Sequence, residues 1–363
     1  VEEWRAWAAT RGDRPFRGTQ IFKWIHGRQQ LDPEGMTDVS KVVRGFVADE
    51  LRGKVPSVEH VHEATDGTRK LLVRMGDGVG VEAVLIPMAG DKSSPLEGED
   101  VDDLPEDEPV DVEHSTAPRV RVTQCISTQA GCAMGCSFCA SGAPGLQRHL
   151  GPDEIIAQVL LGRSLLRSDE RLSNVVLMGM GEPLHNYDAT VRAVRVMGHD
   201  GGLGLSTRRI TISTVGLVPE LERLGNEFGG RIGLAVSLHA ADDAIRSRLV
   251  PVNRRYPLRT LMDALRRYPL PPRRRITIEY ALIHGVNDAD AMARALIGLL
   301  RGIPVKINLI PLNPVGHSDM RPSPPDRVSS FQRVLTDAGL SCFIRRRRGD
   351  DISAACGQLA GSR

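Results

Sequence analysis

The sequence predicts an α/β chain whose largest part is a partial β/α barrel of six parallel strands, with a small helical domain and a short β extension in front. Three observations carry that reading. Near-continuous apolar runs of strand length, such as Val175-Val176-Leu177-Met178, recur along the chain and suit a parallel sheet covered on both faces. Amphipathic segments of helix length separate them. Glycines and polar residues gather just after the runs, where a β/α barrel keeps its working residues.

In chain order, residues 1–53 read as a helical, RNA-binding-like domain. Trp4, Trp7 and Ala8 recur at helical spacing, as do Ile21, Trp24 and Ile25, and Gly12-Asp13-Arg14-Pro15 marks the turn between two helices. Residues 54–87 read as a β extension, in which 70–74 and 81–86 flank the hairpin signal Gly76-Asp77-Gly78. Residues 88–118 break every periodicity and read as an acidic insertion, disordered or looped at the surface. The barrel is expected over 119–345, with strands at 120–127, 173–178, 208–214, 231–238, 274–283 and 305–311. Helices are expected at 152–166, with Pro152, Asp153 and Glu154 in the first turn, and at 324–338, closing at Gly339. Residues 346–363 form a C-terminal segment.

At 363 residues, 41% apolar and 25% charged, the chain has the composition of a soluble globular protein. It has no uncharged apolar stretch of about 18 residues, so no membrane span is expected. The start, Val1-Glu2-Glu3-Trp4, is neither an initiator methionine nor a signal peptide and reads as a trimmed terminus. Six cysteines, three of them in a metal-type motif, point to a reducing compartment, the cytoplasm, rather than a secreted disulfide scaffold. The net charge of +2 hides an asymmetry: residues 91–113 hold eleven acidic residues and one lysine, leaving the rest at +12. Arginine runs at 254–255, 266–267, 273–275 and 345–348 favour a phosphate-rich partner over four merely solvated faces.

The densest chemical signal is Cys132-Ala-Met-Gly-Cys136-Ser-Phe-Cys139. Thiolate is the metal-binding form of cysteine, and three thiolates in one loop have no distant second pair of the kind zinc sites use. A 4Fe–4S cluster with three protein thiolates keeps one iron open for a ligand, where S-adenosylmethionine can chelate.

The strand ends supply groups for such a ligand. Gly181 lets backbone approach closely, and Glu182 can accept from a cationic amine. Ser213, Ser237 and Asn313 can bond a carboxylate, ribose or base. Plainer readings exist: Gly-Glu-Pro as a turn, a serine as a helix cap, His239 as a structural histidine. Outside the motif, Cys342 reads as a buried packing thiol. Cys356, in the small-residue loop Ala354-Ala355-Cys356-Gly357-Gln358, could bend back over the barrel mouth, and Cys125 lies seven residues before Cys132.

The chain closely resembles the RlmN family of radical S-adenosylmethionine RNA methyltransferases. The resemblance runs through Pro15-Phe16-Arg17, residues 81–87, 125–132, 179–183 and 237–240, and Gly349-Asp350-Asp351-Ile352 through Gly361; it departs at the acidic insertion. It implies a radical S-adenosylmethionine barrel with one 4Fe–4S cluster per chain on Cys132, Cys136 and Cys139. The S-adenosylmethionine site would comprise Met178, Gly181, Glu182, Ser213, Ser237, Leu238, His239 and Asn313, with two molecules used per turnover. Cys356 would become S-methylated, Cys125 would resolve the RNA adduct through a Cys125–Cys356 disulfide, and Glu82 would accept a proton. The implied product is adenosine methylated at carbon 2 in 23S ribosomal RNA and in transfer RNA. A flavodoxin-like donor would supply electrons to a monomeric, cytoplasmic enzyme. Two other readings compete: a Cfr-like carbon-8 methyltransferase, and a non-catalytic zinc-containing RNA-binding protein.

Overall fold

The protein's structure, a computed structural model, describes residues 1–88 and 120–361. The acidic insertion, apart from Met88, lies outside the described residues.

The N-terminal part is helical throughout. α1 (Glu2–Thr10) and α2 (Phe16–Phe22) pack together, α2 runs into a π-helical turn over Lys23–Gly27, and α3 (Lys41–Leu51) follows. The sequence pattern shows two helices; the third is half-exposed, burying only Val43 and Val47. Ser40 caps it, its hydroxyl accepting from the Val43 amide at 3.4 Å.

Next come three antiparallel strands, β1 (Ser57–Glu63), β2 (Arg69–Arg74) and β3 (Gly80–Met88). β2 alternates strictly and buries Leu71 and Val73, while the predicted Gly76–Gly78 turn joins it to β3. β1 has no apolar alternation because it is the outer strand, nearly all exposed, and an edge strand has no core face to fill.

β3 pairs antiparallel with β4 (Val120–Cys125), which fuses the extension to the barrel sheet. A small hairpin, β5 (Gln129–Gly131) and β6 (Leu146–His149), brackets the cysteine loop. The alternating units follow: α4 (Pro152–Ser164), β7 (Glu170–Leu177), α5 (Tyr187–Met197), β8 (Ile210–Thr214), α6 (Val218–Phe228), β9 (Gly233–Ser237), α7 (Asp243–Leu249), α8 (Leu258–Arg267), β10 (Ile276–Leu282), α9 (Asp290–Leu300), β11 (Val305–Pro311), α10 (Pro325–Asp337) and β12 (Cys342–Ile344). β4, β7, β8, β9, β10 and β11 are the six predicted strands, all parallel, and β12 adds a short parallel seventh beside β11. β12 is only three residues long, and its Cys342 is buried as a packing thiol.

Local chemistry explains the boundaries. α4 begins at Pro152 because Glu154 reaches back to the Gly151 amide at 2.8 Å, and Asp153 and Glu154 favour the positive helix start. β10 is buried along most of its length, as a central parallel strand should be. One apolar core runs from the N-terminal helices through both faces of the sheet. Among the described residues no helix is long and apolar enough to cross a membrane.

Candidate functional site

The C-terminal ends of the parallel strands surround one open-mouthed cavity. Cys132, Cys136 and Cys139 line one wall, and the residues after β7, β8, β9 and β11 line the others. The chain then returns to cover this mouth. In the C-terminal segment, Gly357 O accepts from the Ala140 amide at 2.7 Å, and Leu359 O accepts from the Ser141 hydroxyl at 2.5 Å. Asn313 Nδ2 donates to Cys356 O at 2.9 Å, and Gln358 Nε2 donates to Pro314 O at 3.2 Å. These bonds hold the segment as a strap across the mouth. They put Cys356, more than two hundred residues along the chain from Cys139, into the wall of the same cavity. Its side chain is open to that cavity rather than sealed in the core.

Of the three motif cysteines, Cys132 and Cys136 are crowded, partly buried thiols. Burial pushes Cys132 up to about 12, and Cys136 is raised well above its usual value by burial and by Cys139 and Cys132 beside it. Thiols this crowded stay protonated unless a cationic metal centre replaces the protons. Among the described residues, no three His, Cys, Asp or Glu side chains converge tightly as a site for one ion.

Arg246 makes the same point by charge. It is fully buried and lies where its charge favours the Cys136 thiolate. Its hydrogen bonds go to Leu238 O, Asn253 Oδ1, Val215 O and Ser237 O, all neutral acceptors. Asp243 offsets its charge in part but does not bond it directly; a buried cation is costly without a paired anion, and an anionic cluster on the neighbouring thiolates would add counter-charge. The residues fit a three-thiolate iron–sulfur cluster.

The predicted S-adenosylmethionine residues mostly meet in this cavity. Met178, Gly181, Glu182, Ser213, Ser237, His239 and Asn313 all line it. Gly181 has φ +100, and a Cβ there would strike the Gln129 side chain, so the loop needs glycine. Glu182 is buried, its two oxygens taking the Val215 and Leu184 amides at 2.8 and 3.0 Å. Burial still drives its carboxyl up to about 7, against those amide bonds. His239 Nδ1 accepts from the Ala281 amide at 3.0 Å, which leaves the proton on Nε2. Burial lowers its basicity to about 3, so it stays neutral, and Phe138 packs edge-on against it.

Three predicted residues are not on the wall. Leu238 is buried behind it, its amide donating to Glu279 O at 3.0 Å. Cys125 sits on β4, pushed up to about 12 by burial and then by the nearby Cys356. Glu82 pairs with Lys70 at 3.1 Å, and its Oε2 accepts from the Ala360 amide at 2.8 Å, so it anchors the far end of the strap.

The sequence reading passed over Glu279 and Arg345, which line the cavity, and Arg246 behind it. Glu279 had a legible signal, a lone carboxylate inside the apolar run Ile276-Thr277-Ile278-Glu279-Tyr280-Ala281-Leu282. Arg345 was hidden in a run read as one basic face. The structure divides that run: Arg345 faces the cavity, Arg347 donates to Leu312 O at 2.9 Å, and Arg346 is exposed.

Comparison with known proteins agrees with this arrangement. Residues 126–296 match the radical SAM superfamily, and residues 1–51 match the ribosomal RNA large subunit methyltransferase N-terminal domain. A curated relative from Sorangium cellulosum (strain So ce56), a dual-specificity RNA methyltransferase RlmN, is 59% identical over 99% of this chain and 93% of its own length. The crystal structure of a radical SAM methyltransferase from Sphaerobacter thermophilus superposes with a TM-score of 0.85 at 41% identity, covering 98% of this chain and 96% of that one. With this identity over nearly its whole length and the three cysteines in one barrel mouth, the chain belongs to the RlmN family of radical S-adenosylmethionine RNA methyltransferases.

Proposed function

We propose that this chain methylates carbon 2 of adenosine in 23S ribosomal RNA and in transfer RNA, with Cys356 carrying the methyl group and Cys125 releasing the product. The observation that supports it best is Cys356 facing the same cavity as Cys132, Cys136 and Cys139. Adenine carbon 2 is electron-poor and will not attack a sulfonium methyl. A thiolate will, by ordinary displacement, and Cys356 is the cavity thiol outside the cluster motif. Partial desolvation at the cavity wall raises the Cys356 thiol, and the Arg345 guanidinium acts against that rise to favour the nucleophilic thiolate.

Bound at the three motif cysteines, a 4Fe–4S cluster would supply the electron that makes S-adenosylmethionine a source of the 5′-deoxyadenosyl radical. The chain's remaining work is positional. The strap presents the sulfur of Cys356, and any methyl on it, to the cavity. Gly181 and the strand-end polar groups cradle the nucleoside, and buried, neutral His239 offers an uncharged Nε2–H donor. Once the carrier carbon is bonded to the adenine ring, the ring proton needs a base. Cys125 is nearer the carrier sulfur. Glu82, tied to the Ala360 amide, would become available as the strap lifts. Attack of the Cys125 thiolate on the Cys356 sulfur would then form the disulfide and break the sulfur–methylene bond, whose electron pair stays on the carrier carbon and takes a proton to give the product methyl, a step that requires Cα atoms within about 7 Å. The same reading includes a monomeric, cytoplasmic enzyme served by a flavodoxin-like donor.

The test is Cys356→Ala in anaerobically reconstituted protein. The brown chromophore should persist while methyl transfer to 23S or transfer RNA fragments disappears; retained transfer would overturn the carrier role. NMR of the nucleoside from wild-type product should show the methyl at carbon 2, and a carbon-8 methyl would convert the reading to the Cfr type.

A further inference from the structure

The cavity wall holds acceptor oxygens that no protein group satisfies. Glu279 is 4% exposed and lines the cavity from the middle of β10. Its Oε1 accepts from Asn308 Nδ2 at 3.0 Å and faces Arg345 Nη1 at 3.8 Å, whereas its Oε2 is buried with no partner. Asn313, 5% exposed on the same wall, gives its Nδ2 to Cys356 O, and its Oδ1 is likewise buried without a partner. The donor bonds fix both amide orientations, so these oxygens are acceptors rather than misassigned nitrogens. Unpaired buried acceptors are costly and rare, and two facing one cavity call for a ligand that brings donors.

The surroundings narrow the donor. Arg345 already balances the Glu279 charge, so a second cation gains little there. An adenine amino group is flanked by ring nitrogens that only accept, and two acceptor oxygens side by side would repel them. Ribose hydroxyls rotate to donate and have no such neighbours. We infer that Glu279, oriented by Asn308 and working beside Asn313, is a binding residue for the ribose hydroxyls of a nucleoside held in this cavity. This rests on the radical S-adenosylmethionine reading above, which offers two nucleosides: that of S-adenosylmethionine and the target adenosine of the RNA.

The experiment measures equilibrium binding to anaerobically reconstituted holoprotein, wild type and Glu279→Gln, with cluster loading checked by absorbance. One arm compares S-adenosylmethionine with its 2′-deoxy and 3′-deoxy analogues. The other compares a short RNA with the same RNA carrying 2′-deoxyadenosine at the target. In wild type, the deoxy change at the bonded hydroxyl should weaken binding roughly 10- to 100-fold, the range for a hydrogen bond to a charged group. In Glu279→Gln that ratio should shrink severalfold while the parent ligand itself binds about tenfold weaker. A collapsed ratio in the first arm assigns the site to the cofactor, and in the second arm to the RNA. Unchanged ratios in both arms overturn the inference even where the variant binds weakly, because a merely structural role lowers parent and deoxy ligands alike. Wild-type protein that loads iron yet binds no S-adenosylmethionine would instead refute the underlying reading.

Discussion

Two arginines are buried in different regions of the molecule and are held in opposite ways. Arg69, on β2 in the antiparallel extension, gives Nη2 to Glu170 Oε2 at 2.5 Å and Nη1 to Leu165 O at 2.7 Å. Glu170 in turn accepts from the Arg167 amide at 2.9 Å. Arg246, at the cavity, meets neutral acceptors only. The first charge meets its counter-charge within the protein, although its Nε is left without a partner, and the pair fastens the extension to the start of β7. The second has Asp243 nearby, reached through Asn253, but no carboxylate bonded to it, and an anion in the cavity would complete its balance. The extension is therefore built to be finished without ligands, and the barrel mouth is not.

The comparison breaks first at Arg69. Arg69→Met would leave the Glu170 carboxylate buried and unpaired and should cost about 3–5 kcal/mol in denaturant unfolding. Replacing both partners with apolar residues should restore most of that loss. A cost below about 1 kcal/mol for the single change would mean that the pair is not closing the extension.

A second group whose charge state the fold fixes lies in the N-terminal helices. His26 is held neutral, lowered to about 4 mainly by burial and further by His199, and its ring packs on Phe22 at 4.6 Å. Its folded value is below the unfolded one. The unfolded chain therefore binds the extra proton between pH 6.5 and about 4, and stability falls as pH drops through that window. Relative to His26→Phe, wild type should lose about 3 kcal/mol more between pH 7 and pH 4. Parallel losses in the two proteins would remove His26 from this class.

Arg246 sharpens the other side of the comparison. Adding an electron to a cluster beside it adds negative charge, which a buried cation favours. Arg246→Met should therefore lower the cluster's reduction potential by an amount on the order of 1–2 kcal/mol, taking an effective dielectric of about 20. Arg246→Lys, which keeps charge and loses the forked geometry, should stay closer to wild type in a redox titration followed by electron paramagnetic resonance. Equal shifts in both variants would show that Arg246 acts through its four hydrogen bonds rather than its charge.

The same contrast explains what could be read from the sequence. The six parallel strands were legible because burial on both faces leaves continuous apolar runs, and the cysteine loop because its ligands are close in sequence. β1 was not legible, since an edge strand writes no hydrophobic pattern. Arg246 and Arg345 sit in ordinary-looking basic stretches, and only tertiary folding decides which arginine of a run turns inward. Cys356 was legible as a candidate from its small neighbours, but the strap that carries it depends on long-range bonds, such as Ala360 to Glu82 and Ser141 to Leu359. No local pattern encodes those partners.

The smallest effect should come from a charge pair at the surface. Arg192 on α5 meets Glu3 on α1, linking the N-terminal helices to the barrel, but the side chains are 54% and 80% exposed. Water screens such a pair, and ordering two long side chains offsets most of its attraction, so Arg192→Ala should cost no more than about 0.5 kcal/mol. Added salt should then change the wild-type and variant stabilities alike. A double-mutant cycle with Glu3→Ala isolates the pair itself. A coupling above about 1 kcal/mol would mean that exposed charge, and not burial around Phe22 and His26, holds the helices to the barrel. The contrast between charges completed inside the protein and those left for a ligand would then need a third class at the surface.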